Sequence, residues 1–277
     1  MQLRIVLFLS PAMAEPKQEA IRAYYHTLFS AWGRQHWWPA QSRFEMIVGA
    51  YLTQNTAWTN VEKALSNLRG AQLLTIDGIR RTTQRRLEQL IRPSGYFRQK
   101  AQRLKTFVNF LDERYGGSPA RMFARPTPEL RDELLALNGV GPETADSILL
   151  YAGNHAVFVV DAYTRRILER HEIVSRAASY EEVRELCEQA LTESDAPKSS
   201  VQQPRSNAQT AGVRATAMGP KGTGHRPSPV SRAKRTELVQ IFNDMHGLIV
   251  GVGKHYCLKS QPRCELCPLQ KFLPQAK

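Results

Sequence analysis

Apolar residues recur at three- and four-residue spacing along most of this chain, which is the period of one helix face. Residues 157–160 are the one run that suits a strand, and that run is too short to require a sheet around it. The pattern therefore predicts an all-α fold. Helical segments are predicted over residues 21–32, 44–68, 87–91, 101–110, 128–137, 181–191 and 237–250.

The composition changes between residues 196 and 235, where Pro, Ser, Gly, Gln, Thr and Ala dominate and bulky apolar residues are scarce. Such a stretch cannot bury enough apolar surface to order itself, so it predicts a disordered insertion. The predicted organisation is a flexible N-terminus (1–18), a helical domain (19–195, completed by 236–256), a basic linker (196–235) and a cysteine-containing loop (257–277).

The balance of charge points to a polyanionic partner. Among 277 residues there are 38 Lys and Arg against 25 Asp and Glu, a net charge of +13. Such an excess favours nucleic acid over an anionic membrane surface. The linker holds eight of these cations and no acid, which leaves 13 − 8 = 5 positive charges for the rest.

Two observations bear on location. No apolar run approaches the roughly 20 residues that span a bilayer, so a soluble protein is expected. The apolar run at residues 5–9 is shorter than the roughly 7 to 15 residues of a secretory core, so the expected location is the cytoplasm.

The most informative segment covers residues 134–166. A helix leads, with Thr127 as its predicted N-cap, into Asn138-Gly139-Val140-Gly141, and Pro142 starts a second helix. Glycines two apart allow positive φ and close approach of a ligand to the backbone, and the amides of a first helical turn attract anions. An ordinary helix-to-helix turn is the alternative, but this turn is also suited to binding a phosphate.

The segment resembles the helix-hairpin-helix with trailing Asp of the endonuclease III superfamily of DNA glycosylases. Similar motifs stand in family order at residues 48–56, 95–101 and 246–257. The resemblance implies a two-lobed helical fold that excises bases from damaged double-stranded DNA by flipping them out of the helix. It rests here on Leu137, Gly139, Val140, Gly141, Val160 and Asp161.

The resemblance also implies roles for individual residues. Gln54 would fill the gap left by an extruded base, and the hairpin residues with Thr144 would contact DNA. Asp161 is the catalytic candidate, because a carboxylate beside the sugar stabilises oxocarbenium charge and activates water. An Asp at this place is also a good helix N-cap, and the two roles are compatible.

One departure from the family pattern bears on the reaction type. Bifunctional members carry a Lys two residues after the second hairpin Gly, whose amine forms a Schiff base with the sugar. This chain has Glu143 there and no Lys between Lys105 and Lys198. The expected activity is a monofunctional, water-using glycosylase. The alternatives are an endonuclease III-like glycosylase and abasic-site lyase, or a helix-hairpin-helix protein that binds DNA without catalysis.

Aromatic residues refine the expected substrate. An extruded, cationic alkylated base gains from electron-rich rings, although tryptophans more often belong to a core. The Trp-Trp-Pro run at residues 37–39 and Trp58, together with Glu143, resemble the 3-methyladenine DNA glycosylase III type. This resemblance implies alkylated purines as substrates. The candidate base pocket consists of Trp37, Trp38, Pro39, Trp58 and Glu143.

Three cysteines, Cys257, Cys264 and Cys267, match the first three positions of the family's Cys-x6-Cys-x2-Cys-x5-Cys iron-sulphur loop. Leu273 stands in the fourth position, and Cys187 lies far upstream on an apparent helix. A [4Fe–4S] cluster takes four thiolates, so we favour a degenerate loop that folds without a cluster over a labile three-cysteine cluster. We expect no cofactor in the chemistry, and a monomer acting on the nucleoid.

Overall fold

The computed structural model describes residues 11–192, 223 and 225–274, with side chains from residue 15 onward. This part of the chain contains no strand, which confirms the predicted all-α class. Residues 157–160 are buried and form no regular secondary structure. No helix in it is both long and apolar enough to cross a membrane. The helices are α1 (Pro11–Trp32), α2 (Arg43–Thr53), α3 (Trp58–Gly70), α4 (Ile76–Arg81), α5 (Gln84–Ile91), α6 (Phe97–Tyr115), α7 (Pro119–Met122), α8 (Thr127–Leu135), α9 (Pro142–Ser147), α10 (Ala162–Arg170), α11 (Tyr180–Thr192) and α12 (Glu237–His255).

Side-chain caps mark where several helices begin. Ser42, Thr75 and Thr83 each accept a hydrogen bond from the backbone N–H three residues on, at the starts of α2, α4 and α5. Each cap satisfies a donor that the first helical turn leaves without an intrahelical partner. The helical segment predicted over 44–68 is two helices, because the chain turns at Asn55, whose φ is 51°.

The chain forms two compact units. The first consists of Met1–Gln35, Val160–Gly224 and Asp244–Lys277. In its described part α1 packs on α11. Arg166 and Arg170 of α10 fasten the loop that follows α12: Arg166 Nε lies 2.8 Å from Cys257 O, and Arg170 Nη1 lies 2.6 Å from Leu258 O.

The second unit consists of His36–Val159 and His225–Asn243. Its centre is α2, in which every residue from Phe44 to Leu52 is buried. The long helix α6 packs against α2, α4, α5 and α7. It buries Leu104, Phe107 and Leu111 on one face. This packing fixes the end of α2, and with it Gln54, against the rest of the unit.

The helical domain begins earlier than predicted. The sequence placed its start at residue 19, whereas α1 begins at Pro11. Residues 11–18 contain two Ala and one each of Glu, Lys and Gln, which favour helix, beside Pro11 and Pro16, and they show no apolar period. The pattern of apolar positions therefore could not reveal them, and residues 1–10 lie outside the described part.

The predicted linker is corrected at its C-terminal end. Residues 225–235 are described, and Ser228 and Ser231 are 5% and 4% exposed. Each serine hydroxyl accepts a hydrogen bond from the other's backbone N–H, and Ser228 Oγ also accepts one from Ala40 N at 3.3 Å. Short polar side chains order this stretch without apolar residues. The remainder of the predicted linker, 196–222 and 224, lies outside the described residues.

Candidate functional site

Two glycines in different conformations build the turn between α8 and α9. Gly139 has a φ of 79°, in the left-handed region that favours glycine, and Gly141 caps α9 with a φ of −95°. Val140 between them is 7% exposed, so its side chain anchors the turn. The start of α9 at Pro142 is as predicted, and the helix continues into a π-helical segment, Ile148–Gly153.

A buried ion pair fastens the two helices of this hairpin together. Arg131 of α8 places Nε 2.7 Å from Oδ1 of Asp146 and Nη2 3.1 Å from Oδ2. A bidentate pair fixes geometry as well as charge. The sequence analysis missed it, because a lone Asp on a buried helix face leaves no periodic signal. The predicted cap of α8 was also wrong: Thr127 is its first residue and Pro126 is the cap.

Gln54, the C-cap of α2, forms hydrogen bonds through both ends of its amide, to the hairpin through Nε2 and to α6 through Oε1. Nε2 lies 3.0 Å from Gly139 O and 3.0 Å from Thr144 Oγ1. Oε1 accepts a hydrogen bond from Arg103 Nη1 at 2.6 Å. The structure thus brings together three of the predicted DNA-contact residues and adds Arg103 of α6. Resemblance pointed to Gln54, whereas no pattern singled out Arg103 among the other basic residues of α6.

Arg103 gives Gly139 a second reason to be glycine. A Cβ built on Gly139 would lie 1.9 Å from Arg103 Nε, so a side chain at this position would displace the Arg103 side chain. A Cβ on Gly141 would meet no atom within 4 Å. The backbone at Gly141 therefore faces open space, where a ligand can approach it closely.

A buried lysine joins three other segments of the same unit. Lys100 of α6 is 1% exposed, and its Nζ donates hydrogen bonds to Leu52 O at 2.8 Å, Thr56 Oγ1 at 2.7 Å and Ser94 O at 2.7 Å. Burial, reinforced by the charge of Arg103, lowers the pKa of Lys100 to about 8. All three donors of its ammonium group are used. Lys100 therefore fixes the segments around Gln54 in place.

The tryptophans proposed for a base pocket form an aromatic cluster. The ring centroid of Trp38 lies 5.3 Å from that of Trp37, 5.2 Å from that of Trp58 and 5.5 Å from that of Tyr151. Trp37 and Trp38 are 8% and 6% exposed, while Trp58 is less buried. Among the described residues, the buried Nε1 of Trp58 has no hydrogen-bond partner.

The other two residues of the candidate pocket lie closer to solvent. Pro39 is partly exposed and Glu143 is exposed in the first turn of α9. The aromatic cluster and the hairpin both belong to the second unit.

Asp161 lies in the first unit and is the N-cap of α10, as predicted. Its Oδ1 accepts hydrogen bonds from Thr164 N at 2.8 Å and Thr164 Oγ1 at 3.0 Å. Its Oδ2 lies 3.6 Å from Nε2 of His246 on α12. The side chain of Asp161 is 15% exposed. The cap therefore fixes Oδ1, and Oδ2 faces the buried imidazole of His246. In the sequence, His246 stood out only as part of the motif at residues 246–257.

The three C-terminal cysteines line one small cavity with His171 and Leu273. Burial, together with the neighbouring thiols of Cys257 and Cys264, raises the pKa of Cys267 to about 11. In the absence of a bound metal, the Cys267 thiol is therefore protonated at neutral pH.

The donor set does not match a four-thiolate cluster. Leu273 occupies the fourth place, and within the described ranges no three His, Cys, Asp or Glu side chains are arranged to hold a metal ion. The residues present therefore do not fit a [4Fe–4S] cluster. Cys187 is buried on α11, away from this loop in the sequence.

Comparison with known proteins decides the family. The model of the HhH-GPD superfamily of base excision DNA repair proteins matches residues 48–193, more than half of the chain. A putative DNA repair glycosylase of Methanocaldococcus jannaschii is 37% identical over 94% of this chain and 98% of its own length. The chain belongs to the HhH-GPD superfamily. The predicted relation to the endonuclease III superfamily is thereby confirmed.

Other proteins resemble this chain in structure or in sequence. A 3-methyladenine DNA glycosylase of H. pylori, bound to 1,N6-ethenoadenine, is 26% identical with a TM-score of 0.62 and covers 86% of this chain and 97% of its own. Endonuclease III trapped covalently on DNA has the same TM-score at 18% identity, covering 97% of both chains, which shows the shared fold. The endonuclease III-like protein 1 of Bos taurus is 27% identical over 86% of this chain and 61% of its own length.

Proposed function

We propose that this HhH-GPD protein is a monofunctional DNA glycosylase that releases alkylated purines from double-stranded DNA through attack of water at C1′. The proposal rests on the position of the Asp161 carboxylate at the start of α10. The cap holds Oδ1, and Oδ2 is available to the reaction. An orientated carboxylate is the group that this reaction requires.

Asp161 would act on the sugar, where the bond breaks, and on the attacking water, which forms the new bond. As the N-glycosidic bond lengthens, positive charge develops on the deoxyribose, and a negative carboxylate nearby lowers the energy of that state. The same carboxylate accepts a proton from the attacking water, so the product is a free base and an intact abasic site. No cofactor enters this scheme.

The two lysines of α6 and the residue at position 143 support a reaction without a Schiff base. Glu143 stands at the family's amine position and cannot condense with an aldehyde. Lys100 donates to three oxygens, and Lys105 Nζ lies 3.0 Å from Arg80 O and 2.5 Å from Thr82 O. Both lysines therefore serve the fold.

The hairpin is the element that we assign to the DNA backbone. Gly141 is open to a ligand, and Gly139 and Val140 shape the turn that presents it. Thr144 and Gln54 form the polar side of the same turn, from which Gln54 would enter the gap left by an extruded base. We expect the protein to act as a monomer on nucleoid DNA in the cytoplasm.

The aromatic cluster supports a purine substrate. Flat electron-rich rings attract a cationic alkylated base. Trp58 also carries a buried N–H donor that a base acceptor would satisfy. The H. pylori relative, a 3-methyladenine glycosylase, was solved with a purine derivative, 1,N6-ethenoadenine. These points favour alkylated purines over oxidised pyrimidines.

Two assays on the same protein test the proposal. Duplexes carrying different damaged bases are incubated with the protein, and released bases are identified by mass. We expect alkylated purines, with strands that break only after alkali or heat. Borohydride added during turnover should trap no covalent adduct, whereas efficient trapping would establish an amine mechanism and contradict the monofunctional assignment.

The variant Glu143→Lys sharpens the assay. A lysine at this place should add weak strand cleavage and weak borohydride trapping, and it should slow release of cationic purines because like charges repel. If no duplex of the panel lost a base while the protein still bound abasic-site DNA, the chain would be a binding protein and the proposed activity would be wrong.

A further inference from the structure

We propose that His246 is a positioning residue that holds the second oxygen of Asp161 in place for base release, an inference that rests on the proposed function. The two side chains come from different elements of one unit: Asp161 opens α10, and His246 lies in α12. Nε2 of His246 is 3.6 Å from Asp161 Oδ2. This contact is separate from the helix cap, which uses Oδ1.

The cap alone leaves the carboxylate incompletely fixed. Both of its hydrogen bonds come from Thr164 and converge on Oδ1, so rotation about the Cβ–Cγ bond, which moves both oxygens, is restrained at one oxygen only. A proton on Nε2 of His246 would restrain the carboxylate at Oδ2 as well. The 3.6 Å separation is longer than an ordinary hydrogen bond, and catalytic hydrogen bonds of free enzymes commonly shorten when substrate binds.

The imidazole is built into the unit as a neutral donor. His246 is 4% exposed, and burial lowers its pKa from 6.5 while the Asp161 carboxylate opposes that effect in part. At neutral pH the ring is uncharged, so a proton on Nε2 can be donated to Oδ2 without forming an ion pair. Asp161 then keeps its full negative charge for the developing cation.

The charged and titratable groups on the neighbouring elements have other partners. Asp244, two residues before His246, pairs with Arg34 at 3.4 Å. On α10, Arg165 donates to Ala178 O and Arg166 to Gly253 O. The Tyr180 hydroxyl accepts from Val160 N at 3.3 Å. The Asp161 carboxylate acts on the imidazole and raises its pKa against the larger effect of burial.

Protonation of His246 should therefore slow the reaction. An imidazolium beside Oδ2 would form an ion pair with Asp161, which weakens the carboxylate as a base and cancels the charge that stabilises the oxocarbenium ion. Because the folded pKa is lowered, this loss belongs below pH 6.5, and the rate rises as pH increases through the pKa of His246.

The test measures single-turnover base release against pH for the whole protein and three variants. His246→Leu removes the donor, and we expect a rate loss on the order of 10²-fold with unchanged binding to abasic-site DNA, since misplacing a catalytic group by about 1 Å can cost that much. His246→Gln places an amide donor near the position of Nε2 without a titrating ring. It should recover most of the lost rate and move the acid limb to lower pH.

The matched control is His171→Gln. His171 is another buried histidine of the same unit, its pKa is also lowered by burial, and its Nδ1 lies 3.3 Å from Phe272 O, away from Asp161. Its variant should keep the wild-type pH profile. A purely structural role for His246 would change melting temperature without moving the acid limb.

The outcomes separate the two proposals. If the unaltered protein releases no damaged base, the proposed function fails. If it does release base and His246→Gln keeps the wild-type acid limb, or His246→Leu keeps the wild-type rate, the positioning role is overturned. Should His246→Leu fail to fold, the pH profile of His246→Gln alone decides.

Discussion

The hairpin and the carboxylate of this protein are constructed in opposite ways. At the hairpin, a hydrogen bond joins Gln54 to Gly139, and a bidentate ion pair joins Arg131 to Asp146. The exposed backbone of Gly141 is therefore supported by a network with little freedom. At Asp161 only one oxygen is fixed by the cap. The hairpin network therefore maintains a backbone conformation, whereas Asp161 supplies a negative charge to the reaction. Changes at the hairpin should alter stability and DNA binding, and changes at Asp161 should alter the rate of base release.

The largest expected effect separates chemistry from binding. Asp161→Asn should abolish base release, a loss of at least roughly 10²- to 10⁴-fold, because the carboxylate serves the transition state. Asn caps helices as well as Asp does, so the fold and binding to abasic-site DNA should persist. Release is measured under single turnover, and Glu185→Gln, which removes the same charge from an exposed site on α11, is the control. Unchanged turnover would remove Asp161 from the mechanism.

The next largest effect is expected at the hairpin. Gly139→Ala places a side chain at a φ of 79° and against Arg103, so we expect a loss of about 1–2 kcal/mol in the free energy of unfolding from the backbone alone. DNA binding should weaken with it. Denaturant titration checks this, with Gly141→Ala as the control whose stability should not change. Equal stability of the two variants would show that the turn is not strained by a side chain.

A smaller effect should come from charge outside the described residues. Residues 196–222 contain four Lys or Arg and no acid. Replacing them by an uncharged segment of equal length should flatten the slope of log K against log salt by up to about 4 and spare the choice of lesion. A change of lesion preference would mean that this segment contributes to the base pocket.

The smallest effect is expected at the cysteine loop. Cys264→Ser should leave base release within about twofold, because no catalytic step runs through the loop and surface changes of this size cost little. Iron and sulphide analysis of the unaltered protein accompanies the assay. A full complement of cluster iron, lost in the variant together with activity, would contradict the degenerate loop.

The turn of the hairpin and the start of α9 could be predicted, because glycine permits and proline restricts particular backbone conformations. Asp161 as an N-cap followed from the same local logic. The contacts that join distant elements could not be predicted in this way. Gln54 and Gly139 are 85 residues apart, and a resemblance, not a spacing, pointed to them.

Side chains that pair across elements leave no period in the sequence. Arg103, the clamp of Arg131 on Asp146, and the approach of His246 to Asp161 were therefore missed. The cysteines are the reverse case. Their spacing matches three positions of a cluster loop, whereas Leu273 in the fourth position supports the predicted degenerate loop, which stays a prediction.

The buried Lys100 gives this protein an internal reporter of local opening. Amine-reactive reagents modify exposed lysines within the native state, but they reach Lys100 only when α6 separates from the segments that accept its three hydrogen bonds. The rate at which a label appears on Lys100 therefore measures the free energy of that separation. Bound DNA should slow the labelling if it stabilises the end of α2, which makes a single peptide mass a readout of how firmly the site is held.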